Sequence, residues 1–489
     1  MLFNTLDFVI FFIIVVCAIV IIKNRKFHFL FLLGASYFFF YYTSNILIVI
    51  LIASTLLDFF VGKEIWKTSE RAKKKLLLVL SLAGNLGLLG FFKYADFAIT
   101  QFNISGNNFN IQEIPLLELT LPIGISFYTF QTISYTVDIY RGKLEPCKSF
   151  LEFALFVSFF PQLVAGPIVR ASHFLPQLRE KLENLQTGTK LRQIVINGGN
   201  LKLGITIIAF GFFKKMFFAD NLAPFVNEIF ANPIGLDSFS IVLGTIAFGI
   251  QIYADFSGYS DIAIGSALIL GFKLPINFNK PYFATSPSDF WRRWHISLSS
   301  WLRDYLYIPL GGNKKSSGRT YVNLLTVMFL GGLWHGASWN FVIWGALHGI
   351  YLAVHKLILD KIPYFKNNWF FKTKIGKITS IIITQYFVFL AWIPFRVHDV
   401  PSMLYAMNKF ILFDFETSGI QEFLLGNKLP VLLIALFAIL HFITYRKTNL
   451  IEKASKLPIK YWAIVITIIM TLILLFFDGN PEDFIYFKF

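Results

Sequence analysis

The sequence predicts an all-α, polytopic integral membrane protein, with about ten crossings, two re-entrant hairpins and interfacial helices. Three observations support that prediction. First, of 489 residues 56% are hydrophobic and 58 are Phe, with a mean hydropathy of +0.62. Soluble globular chains of this size do not have that composition. Second, apolar runs of 14 to 33 residues recur along the chain. Third, the 44 Lys and Arg residues sit mainly in short loops between those runs, where orientation signals belong. The net charge of +16 is therefore an expression of membrane topology, and nucleic acid is excluded as a partner. Membrane lipids are the expected surroundings. Two cysteines, Cys17 and Cys147, cannot make a disulfide framework or a thiolate metal site.

Four spans open the chain: Phe8–Ile22, Phe29–Tyr42, Ile46–Val61 and Leu77–Phe92. The first lacks a preceding basic residue and a following small-residue cleavage site, so it reads as an anchor. The loops Lys23–His28 and Gly62–Leu76 carry nine basic and two acidic residues, against one and three in Thr43–Asn45 and Lys93–Thr120. By the positive-inside rule the N-terminus is expected outside. Leu121–Tyr140 returns to the cytoplasm. Ser149–Arg170 is basic at both ends and interrupted by Pro161 and Gly166-Pro167, which predicts the first re-entrant element.

Arg170–Asn200 is polar and is expected to hold an interfacial helix. Leu201–Ala219 crosses outward, with Lys214-Lys215 against the charge rule; snorkelling is the one account the sequence offers. Phe239–Gly271 crosses back and carries Asp255 and Asp261 within an apolar run. Their spacing of six puts them on different faces, where each caps a kink near Gly258 or pairs with an arginine. Residues 272–321 form a cytoplasmic amphipathic segment.

The stretch from Arg319 to Lys356 organises the rest. Its apolar arms Val322–Leu333 and Phe341–Val354 flank a polar break carrying His335, with basic residues at both outer ends. Twelve helical residues rise only ~18 Å against a hydrocarbon core of ~30 Å, so the arms predict a second re-entrant hairpin at about 322–355. Ile378–Phe395, Pro430–Tyr445 and Tyr461–Phe477 complete the spans. In this topology, inside loops carry 36 basic and 9 acidic residues, and outside segments 5 and 14. A single domain, 1–489, is expected.

Irregular backbone at membrane depth is tolerated only when buried in protein or lining a wet cavity, and an ionisable residue there is a functional candidate. His335 fits that description. The bland alternative is a histidine bonded to a backbone carbonyl at a helix break. Burial would keep its ring neutral, and a neutral imidazole can take a proton from a hydroxyl attacking an acyl group. His295 is the second candidate. In Thr285–Gly312, Ser286 is a candidate N-cap with Pro287 at the first helical position and Asp289 closing a box-like pair. Trp291, His295, Leu298 and Leu302 then share one face of a continuous helix. An interfacial amphipathic helix is the alternative, although His295 stands where such a helix would favour Leu. His348 and His355 read as packing or interfacial residues. No phosphate loop, Ser–His–Asp set or metal-ligand cluster is apparent.

Five stretches together resemble the membrane-bound O-acyltransferase (MBOAT) superfamily, specifically the bacterial branch of alginate and peptidoglycan O-acetylating proteins. They are FFPQLVAGPIVR (Phe159–Arg170), YADFSGYSDIAIG (Tyr253–Gly265), NFNKPYFATSPSDFWRRWHISLSSWLRDYLYIPLGG (Asn277–Gly312), GGLWHGASWNFVIWGALHG (Gly331–Gly349) and the terminal FIYFKF. The resemblance implies that His335 is the active-site histidine and His295 the second functional one. Trp334, Trp339, Asp289, Arg293, Asp304 and Asn313 would shape or line the site. It implies no bound cofactor, with acetyl-CoA or an acyl carrier as donor substrate at a basic cytoplasmic face. It further implies a polysaccharide acceptor outside a bacterial inner membrane. The outside segments are too short to grip a polymer, so an extracytoplasmic acetyltransferase-type partner protein is expected as well. The rivals are a transporter of acylated or lipid-linked molecules without chemistry of its own, and an acyltransferase acting on lipid or protein.

Overall fold

The computed structural model describes residues 1–22, 25–107, 109, 111–163, 166–183, 198–362, 369–415, 419–477, 479 and 482–487. Among these there are helices and turns and no β-strand. Seven helical stretches are long and apolar enough to cross a membrane. The chain forms two compact units, residues 1–208 with 261–275, and residues 209–260 with 276–489.

In the first unit, α1 (Leu6–Ile21), α2 (Arg25–Ser44), α3 (Ile48–Lys67), α4 (Arg71–Asn107) and α5 (Ile125–Tyr140) fall where the apolar runs place them. One element is longer than expected. Helix α4 passes Phe92 and takes in the start of Lys93–Thr120, because Lys93–Gln101 contains no Gly or Pro to stop it. A polar network that hydropathy could not reveal joins α3, α4 and α5. The buried Asp58 carboxylate accepts from Ser81, from Asn85 Nδ2 at 2.7 Å and from Thr136 Oγ1 at 3.0 Å. A buried carboxylate needs such donors to offset its lost hydration. The expected interruption at Ser149–Arg170 is present: α6 (Phe150–Ser158) ends one residue before α7 (Phe160–Leu163). Helix α8 (Ala171–Glu183) then carries Arg179, which bonds the Glu152 carboxylate at 2.6 Å. Residues 184–197 lie outside the described residues.

The unit boundaries fall within α9 (Gly198–Phe212) and α11 (Ser238–Ile269). Helix α9 runs on as a π-helical turn, Phe213–Ala219, into α10 (Asp220–Ala231). In the second unit, α12 (Pro287–Arg293) and α13 (Ile296–Leu302) precede the hairpin of α14 (Ser317–His335) and α15 (Trp339–Lys361). There follow α16 (Lys374–Arg396), α17 (Val400–Ile411), α18 (Ile420–Gly426), α19 (Lys428–Arg446), α20 (Leu450–Ser455), α21 (Ile459–Phe476) and a terminal 3₁₀ turn, Ile485–Phe487.

Helices α14 and α15 pack as a helical hairpin, with a longer first arm than hydropathy suggested. Helix α14 starts at Ser317, whose neighbour Ser316 caps it by accepting from Arg319 N–H. Its 19 residues rise about 28 Å, so length no longer prevents this arm from spanning. Glycines let the arms touch: a Cβ on Gly345 would lie 2.4 Å from Met328 O, and one on Gly332 2.3 Å from Phe341 O.

Candidate active site

The site lies within the second unit. Helix α14 ends at His335, and extended backbone at Gly336 and Ser338 turns the chain into α15. A Cβ on Gly336 would lie 2.1 Å from the Phe341 ring, so only glycine permits so tight a return. His335 is 4% exposed. Its ring is 4.8 Å from Trp344, 5.0 Å from Trp334, 5.3 Å from Phe395 and 5.5 Å from Tyr486, centre to centre. Such a wall excludes bulk water from around the imidazole.

His295 reaches the same place by a route the sequence pattern did not predict. The single helical face expected through Trp291, His295, Leu298 and Leu302 does not form. Helix α12 stops at Arg293, His295 adopts left-handed backbone at φ 42°, and α13 restarts at Ile296. Segment Asn277–Asn279 runs alongside this break and satisfies it. Asn279 N–H donates to Arg293 O, Ile296 N–H donates to Asn277 O, and the Asn277 side-chain oxygen accepts from Ser297 N–H and Oγ. A non-glycine residue at positive φ is strained and recurs at functional sites. The result is a fully buried His295, 4.7 Å from the Phe256 ring, 6.0 Å from Trp334 and 6.4 Å from Tyr486. Burial disfavours the imidazolium and lowers the His295 pKa below its ordinary range.

Trp334 and Tyr486 thus each face both histidines. Tyr486 had no role in the sequence reading. The terminal FIYFKF stretch was noticed only through the family resemblance, and its aromatic content alone suggests a membrane-interface belt.

The remaining expected residues are not gathered there. Trp339 is 52% exposed at the first turn of α15. Ser286 caps α12 as expected, its Oγ accepting from Asp289 N–H at 3.1 Å. The Asp289 carboxylate pairs with Arg293 at 2.9 Å and accepts from Thr285 N–H. Asp304 pairs with its neighbour Arg303 at 2.7 Å, and exposed Asn313 accepts from the Tyr307 hydroxyl. These four shape the polypeptide around α12 and the loop before α14. His348, buried between Phe290, Trp291 and Trp344, packs one turn further along α15.

Two readings of isolated charges are corrected. Lys215 does not snorkel; it is 1% exposed and lies 2.9 Å from Asp255 and 2.7 Å from Asp220. Asp255 correspondingly pairs with this lysine and not with an arginine.

A buried imidazole beside a second buried histidine, at a tight break between two helices of a chain rich in apolar helices, defines the class. The profile of the MBOAT, membrane-bound O-acyltransferase family, matches residues 147–393, and the chain belongs to that family. It is a multi-pass membrane O-acyltransferase. Among its relatives, the peptidoglycan O-acetyltransferase of Helicobacter pylori is 41% identical over 72% of this chain and 67% of its own length. The "Probable alginate O-acetylase AlgI" of Pseudomonas putida is 37% identical over 89% of both chains. The teichoic acid D-alanyltransferase of Bacillus subtilis is more distant, at 27% over 54% of this chain and 66% of its own.

Proposed function

We propose that the chain moves an acetyl group from a cytoplasmic thioester, acetyl-CoA or an acylated carrier, towards an exopolysaccharide or peptidoglycan outside a bacterial inner membrane. The observation that carries this reading is His335, buried at the end of α14 between Trp334, Trp344, Phe395 and Tyr486. Relatives named for peptidoglycan and alginate O-acetylation support the acetyl group and the polymer acceptor.

In the chemistry proposed, an acceptor hydroxyl oxygen attacks the thioester carbonyl carbon while the neutral His335 imidazole takes the hydroxyl proton. The C–S bond then breaks, the ester forms, and the proton passes to the departing thiolate. His295 assists by orienting the reacting groups through the shared Trp334 wall. The enclosure lowers the local dielectric, which strengthens each hydrogen bond made to the developing oxyanion.

A narrow aromatic enclosure suits one acyl group and one hydroxyl, not a polymer chain. An extracytoplasmic protein partner is therefore part of the proposal, receiving the acetyl group and placing it on the glycan. The test is reconstitution in proteoliposomes with radiolabelled acetyl-CoA and the glycan, with and without the secreted proteins encoded beside this gene. Transfer to the polymer is expected only when such a protein is present. Efficient polymer acetylation by the chain alone would overturn the partner requirement, and failure of acetyl-CoA where an acylated carrier succeeds would reassign the donor.

A further inference from the structure

The C-terminal strap that carries Tyr486 has little to hold it by itself. It is a single three-residue 3₁₀ turn, Ile485–Phe487, and so short a piece has no independent stability. It is nevertheless buried: Phe484 is 0% and Ile485 7% exposed. Two sets of contacts fix it. Phe484 lies 4.4 Å from the Tyr259 ring and 5.6 Å from Phe256. The second set is polar and reaches across more than 200 residues. Asp255 Oδ2 accepts from Ile485 N–H at 2.7 Å, while Asp255 Oδ1 takes Lys215 Nζ at 2.9 Å. The same ammonium group is 2.7 Å from Asp220 Oδ1 and 3.4 Å from the Asp483 carbonyl. Both ends of the strap's entry thus rest on one ion pair whose side chains are 1% and 3% exposed.

The fold goes to some length to form this pair. Lys215 stands in the π-helical turn Phe213–Ala219, a geometry that recurs at functional positions. Gly258 lets α11 close on that turn, since a Cβ there would lie 2.7 Å from Gly211 O and 3.1 Å from Lys215 N. A buried ion pair is a weak device for stability, because apolar residues of like volume serve as well or better. Its geometry matters here. One carboxylate oxygen is fixed by Lys215, which leaves the other aimed at the amide next to Tyr486.

We propose that Asp255 and Lys215 are positioning residues that clamp the C-terminal strap and so hold Tyr486 against His295 and His335. The proposal rests on the reading that these histidines carry the acyl transfer. The clamp acts through the backbone and touches no reacting atom itself.

The test combines amide exchange with kinetics on the full-length protein in proteoliposomes. In Asp255→Ala the peptide spanning residues 482–487 is expected to exchange faster, and kcat to fall at least about tenfold, as for other misplaced groups, with the KM for acetyl-CoA within about twofold. The triple variant Asp255→Asn, Asp220→Asn and Lys215→Met keeps an oxygen acceptor for Ile485 and removes all three charges of the cluster together; it is expected to recover protection and much of kcat. If Asp255→Ala fails to fold, this triple variant compared with Asp220→Asn plus Lys215→Met makes the same comparison. In a Tyr486→Phe background, Asp255→Ala is expected to add little further loss, since both act on one element. Unchanged exchange in Asp255→Ala, or losses that multiply with those of Tyr486→Phe, would overturn the clamp. Exchange does not depend on turnover, so a failure of the histidine assignment would leave that readout intact and be told apart.

Discussion

Adjacent glycines in α14 give opposite predictions, and the difference follows from what each faces. A Cβ on Gly332 would stand 2.3 Å from the Phe341 carbonyl oxygen and 3.0 Å from Gly345 Cα. Ordinary contact starts at 3.4 Å, so the two hairpin arms must part by about 1 Å in Gly332→Ala; such overpacking typically costs ~1–3 kcal/mol. The shift falls one helical turn before His335, and a 1 Å misplacement of a reacting group costs up to about 10²-fold in rate. Gly331, by contrast, faces only Leu302 Cδ1 at 3.5 Å. Gly331→Ala meets ordinary contact and gains about 0.5–1 kcal/mol of helix propensity, so it should be neutral or slightly stabilising. The assay is kcat for acetyl transfer in proteoliposomes, with thermal unfolding of each purified variant. Wild-type kcat in Gly332→Ala, or equal damage from both variants, would refute the close-packed hairpin as the device that places His335.

Three further outcomes follow. Trp334→Ala should be severely damaging, since truncating a buried Trp costs ~3–5 kcal/mol, whereas half-exposed Trp339→Ala should leave kcat within about twofold, as surface changes usually do; equal effects in transfer assays would contradict the placement. The lowered His295 pKa means that the unfolded chain binds a proton below about pH 6.5 that the native state does not. His295 therefore subtracts stability as pH falls from there towards its lowered value, and the unfolding-stability gap between wild type and His295→Gln should narrow from pH 7 to pH 5; a gap independent of pH would count against a neutral buried ring. Finally, Lys314→Cys in a Cys17→Ser, Cys147→Ser background should react with an impermeant thiol reagent only from the cytoplasmic side, and labelling of intact cells from outside would invert the topology.

Much of the helical layout was legible because membrane spans are written in runs of one chemical type. The span Ile378–Phe395 matches α16 (Lys374–Arg396) and Tyr461–Phe477 matches α21 (Ile459–Phe476) to within a few residues. Helix ends were less legible. Polar residues do not stop a helix, so α4 runs past Phe92 and α14 begins at Ser317, where only the cap at Ser316 marks a start. The break at His295 was invisible locally, since Trp291, His295, Leu298 and Leu302 suit one helical face. The competing partner is Asn277, some twenty residues away, whose side chain and carbonyl take the freed donors. Lys215 looked anomalous because its partner Asp255 lies forty residues on, and ion pairs over that separation leave no periodic trace. His335 stood out in the sequence as a candidate because an ionisable residue at a glycine-flanked break between apolar arms has few structural reasons to be there.

The central claim is that this chain performs acyl transfer at His335 instead of passing an acylated molecule through. The most direct measurement is single-turnover transfer from radiolabelled acetyl-CoA in proteoliposomes, comparing wild type with His335→Gln at equal amounts of folded, inserted protein. Gln keeps polarity and a similar length but cannot accept the proton. General-base assistance is worth about 10²–10⁴ in rate, so the account predicts at most a trace of transferred acetyl group. Near-normal transfer by His335→Gln would contradict it and favour a transporter.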